Sequence, residues 1–159
     1  MGPWLLLYYL ISNMQIWEME SYPVGDRRMP HHVFPPKMFT LDQLQQLAGV
    51  TYFKRMSRVK ADYDVLASDM LTMDENLIDF EQKLEAMYEP DERDEPTVAM
   101  VLEGGMYFDV EYEDDKWVRI HMERGDLIAI PKHKLFRSTT TSKNFVKLQR
   151  FAKRPSTAL

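Results

Sequence analysis

The sequence predicts a mainly β protein built around a small antiparallel barrel. Between Val98 and Arg137 the chain is a series of short runs rich in Val, Ile, Tyr, Phe and Trp. Gly, acidic residues and one Pro interrupt these runs about every ten residues, which is typical of sandwiches and closed barrels rather than of alternating strands and helices. With 159 residues, 45% of them hydrophobic, the chain is long enough for one domain with a single core.

Composition excludes several classes of function. The chain contains no Cys, which excludes disulfide bonds, thiolate metal sites and cysteine nucleophiles and fits a reducing compartment. The net charge of −5 argues against a nucleic-acid partner, because phosphate contacts need a surplus of Lys and Arg on one surface.

Residues 1–13 are predicted to be an apolar extension ahead of the domain. The run from Gly2 to Ile11 is about half as long as a membrane-spanning helix requires. No Lys or Arg precedes it, so it does not have the pattern of a secretory signal. We therefore expect no membrane partner, and a domain that begins at Met14, which is also a possible second start.

The segment from Tyr22 to Lys37 is predicted to be extended and to wrap around the domain, because it contains four Pro residues. His31 and His32 lie within it. Adjacent histidines can bind a metal, but a Pro-rich loop with no further ligand favours surface or packing roles for them.

A first helix is predicted after this segment. Thr40 and Gln43 form a capping box ahead of Leu44, and Gly49 ends the helix. A weaker pattern predicts another short helix within residues 54–64.

A later helix is predicted from a second capping box, formed by Thr72 and Glu75, to about Tyr88, where Pro90 ends it. Apolar residues recur in it at steps of three and four: Leu77, Phe80, Leu84 and Met87. This stripe indicates a face packed on the core.

Two spacings in the barrel region are specific. Six residues separate Thr97 from Gly104; five separate Gly125 from Pro131, and Phe136 follows five positions later. These intervals resemble the two motifs of the cupin superfamily, which are double-stranded β-helix or jelly-roll barrels. The resemblance implies a cupin barrel of two antiparallel sheets with N-terminal α-helices packed outside.

Within that superfamily, most of the chain resembles the acireductone dioxygenases. The resemblance covers residues 14–151, which we interpret as one domain followed by a C-terminal tail at 152–159, although the connection at 54–64 is shorter than in the family. Its main framework matches are Gly104, Tyr107-Phe108-Asp109-Val110, Trp117-Val118-Arg119-Ile120, Glu123-Arg124-Gly125-Asp126 and Asn144-Phe145-Val146-Lys147.

The resemblance also implies a function. Active acireductone dioxygenases belong to the methionine salvage pathway of methionine biosynthesis and use Fe(II) and oxygen to split acireductone into formate and the 2-oxo acid precursor of methionine. With Ni(II) they give an off-pathway product. The family and the absence of targeting signals lead us to expect the cytoplasm, with entry into the nucleus by diffusion.

The four metal-ligand positions of the family are altered. Where active members have His, His, Glu and His, this chain has Asp91, Arg93, Thr97 and Phe136. Arg has no lone pair to donate, Thr is a weak neutral donor and Phe has no donor atom. A guanidinium beside the metal position would also be unfavourable by about several kcal/mol. We therefore expect an inactive homologue with no metal cofactor and no catalytic residue.

Asp91 and Arg93 are two positions apart and would project from the same face of a strand. We hypothesise that they form an ion pair in the space the metal would fill, with Phe136 packed on the Arg stem. The alternative is a solvated loop. The resemblance further implies two degenerate substrate positions, Ala99, where the family has Arg, and Arg137, which is retained.

Rival interpretations remain open from sequence. An active dioxygenase, or a metal-independent lyase or isomerase, could use an altered site formed by His121, His133 and Asp91. A further interpretation is a protein that binds a sugar or a small acid, for which the sequence has no positive signal. For the inactive homologue, we expect a surviving role as a binding or regulatory module, through the emptied small-molecule pocket or through a protein partner such as an active paralogue.

Overall fold

The computed structural model describes residues 14–154; the apolar extension at 1–13 and the end of the tail, 155–159, lie outside the described residues. The strands are β1 (Gln15–Met19), β2 (Thr51–Phe53), β3 (Val65–Asp74), β4 (Thr97–Glu113), β5 (Lys116–Glu123), β6 (Leu127–Ile130), β7 (Phe136–Thr140) and β8 (Phe145–Lys153). The helices are α1 (Leu41–Ala48), α2 (Met56–Tyr63) and α3 (Phe80–Tyr88). The mainly β fold predicted from the sequence is confirmed.

The long strand β4 belongs to two antiparallel sheets. Its first half, residues 97–104, pairs with β6 and β8, whereas residues 105–113 pair with β5 and β7. β1, β2 and β3 extend the sheets by pairing with β5, β6 and β8. The strand passes between the sheets at Gly104, which has a φ of +75° and where a Cβ would clash with the carbonyl oxygen of Phe145. This position therefore requires glycine.

The core lies between the two sheets, because alternate residues of β4 and β5 point inward. The inward set on these two strands is fully or almost fully buried: Met106, Phe108, Val110, Val118, Ile120 and Met122. The opposite, outward set includes Trp117 and Tyr107, which pack with Trp17 and Met19 of β1 in a second apolar layer.

The first predicted helix is confirmed as α1. The Gln43 amide donates to Thr40 Oγ1 at 3.1 Å, and the Thr40 amide donates to Gln43 Oε1 at 2.9 Å, so the capping box is complete. Gly49 ends the helix in the left-handed conformation. The weaker pattern at 54–64 corresponds to α2. No helix in the described residues is long and apolar enough to cross a membrane.

The predicted capping box at Thr72 is wrong. Thr72 lies in β3, which pairs with β8 as far as Asp74 and buries Met73 completely. A turn follows, in which the Asn76 amide donates to Asp74 Oδ1 at 2.9 Å, and α3 begins only at Phe80. Strand pairing with β8 therefore overrides the local capping signal, while the predicted end of the helix at Tyr88 is confirmed.

The Pro-rich segment runs along the edge of β1 opposite to the edge that pairs with β5. Isolated bridges join Met19 to His32 and Trp17 to Met38. The His32 ring stacks on Trp17 with 4.5 Å between ring centres, and His31 Nε2 lies 2.6 Å from the carbonyl oxygen of Asp26. Both histidines therefore have packing roles.

Candidate functional site

The structure brings the four residues that the resemblance aligns with the metal ligands of the family into one pocket. Asp91, Arg93, Thr97 and Phe136 all line a cavity of about 250 Å³. β4 supplies Thr97 from the half that pairs with β6, and β7 supplies Phe136, which pairs with Val110 in the other half of β4. The two residues therefore come from different sheets and both line the cavity between them. We refer to this cavity as the barrel pocket.

The backbone at the pocket mouth is fixed even though residues 91–93 are not part of a regular strand. The Asp91 amide donates to the Phe136 carbonyl at 2.8 Å, and the Phe136 amide donates to the Asp91 carbonyl at 3.0 Å. The His133 amide also donates to the Arg93 carbonyl at 2.8 Å. The segment is therefore anchored to β7 and the turn before it, rather than free as a solvated loop.

The side chains at the mouth form the ion pair expected from the sequence. Arg93 Nε donates to Asp91 Oδ2 at 3.0 Å, and the Arg93 guanidinium carbon lies 5.7 Å from the centre of the Phe136 ring. The Arg93 and Asp91 side chains are 51% and 53% exposed. The pair therefore closes part of the mouth while remaining in contact with solvent.

The donor set of the barrel pocket does not fit the Fe(II) or Ni(II) ion that the resemblance implies. Such ions need several imidazole or carboxylate donors that converge on one point. Here the Asp91 carboxylate already accepts from Arg93, whose own nitrogen atoms carry no lone pair. Within residues 14–154, the one group of three carboxylates or imidazoles close enough to share a metal ion is at the β4–β5 turn and consists of Glu111, Asp114 and Asp115. That acidic turn is outside the pocket.

The two histidines of the altered-site hypothesis are not among the residues that line the pocket. His121 is on the outer face of β5, 5.1 Å from the Tyr107 ring centre, and its burial lowers its pKa. His133 occupies a turn with φ of +64°, its side chain is 56% exposed, and its Nδ1 lies 3.6 Å from Glu92 Oε1. The structure thus does not bring His121 and His133 together in this pocket.

The two substrate positions implied by the resemblance separate in the structure. Ala99 lines the barrel pocket and is 2% exposed. Arg137 is on the outward face of β7, where its guanidinium lies between the rings of Tyr88 and Trp117, 4.7 Å and 4.2 Å from their centres. Its Nε donates to Asp109 Oδ2 at 3.2 Å. Arg137 is therefore a structural residue of the outer layer rather than part of the pocket.

Sequence analysis did not predict this buried charge cluster, which consists of Asp109, Arg119 and Arg137. Arg119 Nε and one terminal nitrogen donate to the two Asp109 oxygens at 2.7 Å and 2.9 Å, and neither side chain is exposed. The other terminal nitrogen donates to the Arg27 carbonyl at 3.0 Å. The cluster thus attaches the wrapping segment to the sheet. The signal was present in the sequence as a charge between apolar neighbours in both β4 and β5.

Comparison with known proteins identifies relatives of the whole described domain. The model of the ARD/ARD' family matches residues 15–157. A Caenorhabditis elegans protein named "Probable inactive acireductone dioxygenase 1" is 51% identical over 152 residues, which cover 89% of this chain and 96% of that protein. The Drosophila melanogaster "Acireductone dioxygenase" is 32% identical over 149 residues, which cover 87% of this chain and 80% of that protein.

A solved structure supports the fold. The acireductone dioxygenase from Bacillus anthracis with a cadmium ion in its active centre aligns with a TM-score of 0.69 at 16% sequence identity, covering 88% of this chain and 92% of that one. At this identity the match supports only the fold. It confirms the barrel class that the motif spacings predict.

Proposed function

The chain belongs to the acireductone dioxygenase family, and we propose that it is a member that has lost its metal site and, with it, the dioxygenase reaction. The proposal agrees with the names of its relatives, since the relative named as probably inactive shares 51% of aligned residues and the Drosophila dioxygenase shares 32%.

One observation carries the proposal: the Arg93 guanidinium lies at the mouth of the barrel pocket, bonded to Asp91 and placed over the Phe136 ring. The guanidinium occupies the Asp91 carboxylate, which is the one strong donor among the four positions. Thr97 contributes only a neutral hydroxyl. The pocket therefore has no set of side chains that could hold iron or nickel tightly.

The proposed surviving role is that of a binding or regulatory module associated with methionine salvage. Support comes from the scaffold, because the bridge between Asp91 and Phe136 and a pocket lined by both residues are present in the barrel. An active paralogue or another protein is the proposed partner, and the cytoplasm, with diffusion into the nucleus, is the proposed location.

An activity assay tests the proposal. Purified protein should be supplied with Fe(II) or Ni(II) and with acireductone, and its consumption of the substrate compared with that of the metal ion alone. We expect no increase over the protein-free rate. Metal-dependent turnover by the unsubstituted chain would overturn the proposal. The Drosophila enzyme, assayed in parallel, shows that the conditions support the reaction.

A further inference from the structure

The barrel pocket is mostly apolar in its interior. Its apolar walls are formed by Leu71, Met87, Ala99, Phe108, Phe136 and Leu148. An apolar cavity of about 150 Å³ accommodates benzene in other proteins, and this cavity measures about 250 Å³. It therefore has space for a molecule of roughly ten non-hydrogen atoms by the same scale.

Each of the two arginines that line the pocket is bonded to a carboxylate. Arg93 is bonded to Asp91 at 3.0 Å, and Arg150 Nε donates to Asp69 Oδ1 at 3.0 Å. Both arginines line the pocket. Glu89 lines it too, but its side chain is exposed, so solvent screens its charge. The two cations are thus compensated, and no surplus positive charge is available to attract an anion.

An uncompensated charge on a ligand would also be desolvated by the apolar walls, which is costly for either sign. The polar groups that remain are the hydroxyls of Thr97 and Ser138, which are half-buried and line the pocket. A hydroxyl can both donate and accept a hydrogen bond.

We propose that the barrel pocket binds a small, uncharged and largely apolar molecule that carries one hydrogen-bonding group, such as an alcohol or a ketone. The inference rests on the proposed function, since a divalent ion in the pocket would reverse its charge balance and favour a chelating anion instead. The pocket of a metal-dependent enzyme has thereby become a site of different ligand chemistry.

Three probes with one skeleton test the ligand class: 2-phenylethanol, phenylacetate and 2-phenylethylamine, which are neutral, anionic and cationic at pH 7. Each is titrated into the isotope-labelled full chain and followed by amide chemical shifts in two-dimensional NMR. We expect 2-phenylethanol to shift amides of β4 and β7 around Thr97 and Ser138 and to bind at least about tenfold more tightly than either ion. Equal binding of an ion, or shifts confined to another surface, would overturn the inference.

Two substitutions locate the site. Ala99→Leu places three more carbon atoms in the cavity and should abolish the shifts, while the matched change Ala61→Leu, on the exposed side of α2, should leave them unchanged. Thr97→Val removes the hydroxyl with little change of shape. It should weaken the binding of 2-phenylethanol by about fivefold, as expected for one lost hydrogen bond. If Ala99→Leu does not fold, the Thr97→Val result decides: unchanged affinity would contradict the proposed site.

Elemental analysis of the same NMR sample separates this inference from the proposed function. If the chain is free of metal and binds none of the three probes, only the proposed ligand class is contradicted. A chain that holds stoichiometric iron or nickel contradicts the loss of the metal site, whatever the probes do.

Discussion

Asp91 and Phe136, which the resemblance aligns with two metal-ligand positions of the family, are joined by a pair of backbone hydrogen bonds of 2.8 Å and 3.0 Å. The backbone therefore still holds these two positions beside each other although neither side chain is a histidine. The backbone thus holds the two positions together, whereas of the two side chains only Asp91 has a donor atom for a metal ion.

This retained geometry predicts that metal binding can be restored. The combined change Asp91→His, Arg93→His, Thr97→Glu and Phe136→His should give a chain that binds one Ni(II) or Fe(II), because the donors would again converge on one point. Isothermal titration measures the affinity. The matched control retains Arg93 and carries the other three changes, and it should bind far more weakly. If the variant with all four substitutions folds but does not bind metal, the four positions do not converge on one point.

Removal of the Asp91–Arg93 pair should have little effect on stability. Both side chains are about half exposed, so solvent screens the attraction and Arg93→Met should change the free energy of unfolding by less than about 1 kcal/mol. Urea denaturation of both single variants and the double variant measures the coupling. A coupling of several kcal/mol would mean that the pair is far less hydrated than its exposure indicates.

The buried cluster of the outer layer should behave differently. Asp109 is completely buried and accepts from both Arg119 and Arg137. Asp109→Asn would leave two buried guanidinium groups without a counter-charge and should reduce the free energy of unfolding by about 3–5 kcal/mol.

The matched control for this prediction is Asp69→Asn, which alters an ion pair with Arg150 at the surface. Because the Asp69 side chain is 55% exposed, a loss of no more than about 1 kcal/mol is expected. Similar losses for the two variants in chemical denaturation would contradict the assigned role of the cluster.

Gly104 should tolerate no side chain. Its φ of +75° and its contact with the Phe145 carbonyl would both oppose a methyl group, so Gly104→Ala should cost more than the about 1–2 kcal/mol of a left-handed alanine. Gly125 also has a positive φ, but an added Cβ there meets nothing within 4 Å. Gly125→Ala should therefore show only the conformational cost, and an equal loss at both sites in thermal denaturation would refute the steric argument.

His121 should make stability depend on pH. Burial lowers its pKa, against the opposing effect of Glu123, whose Oε1 lies 3.7 Å from His121 Nε2, and of Asp126. Since the unfolded chain takes up this proton more readily, the contribution of His121 is complete above the unfolded pKa of about 6.5 and decreases as the pH falls below it. His121→Gln should reduce the change in the free energy of unfolding between pH 7.5 and pH 5. An unchanged pH profile would exclude His121 as its source.

Much of the fold could be predicted from the sequence because its signals are local. The capping box at Thr40 and Gln43 and the glycine at the end of α1 are formed by neighbouring residues and are found as expected. The capping signal at Thr72 failed because pairing with β8, far along the chain, determines that segment.

The site was predicted only through the resemblance, since no local pattern relates Asp91 to Phe136. The resemblance correctly indicated which positions share the pocket. It placed Arg137 with the substrate residues, however, whereas strand alternation turns this side chain outward, to Asp109. The contributions of Leu71, Met87 and Arg150 to the pocket arise from β3, α3 and β8 and have no signal in the sequence.

Metal content is the most direct test of the loss of the metal site. The chain is produced in medium supplemented with iron or nickel, purified without metal-affinity steps, dialysed against a chelator and analysed for both elements. The account predicts metal far below one ion per chain in both preparations. One iron or nickel ion per chain that survives the chelator, and that is lost when Asp91 is replaced by Ala, would contradict it.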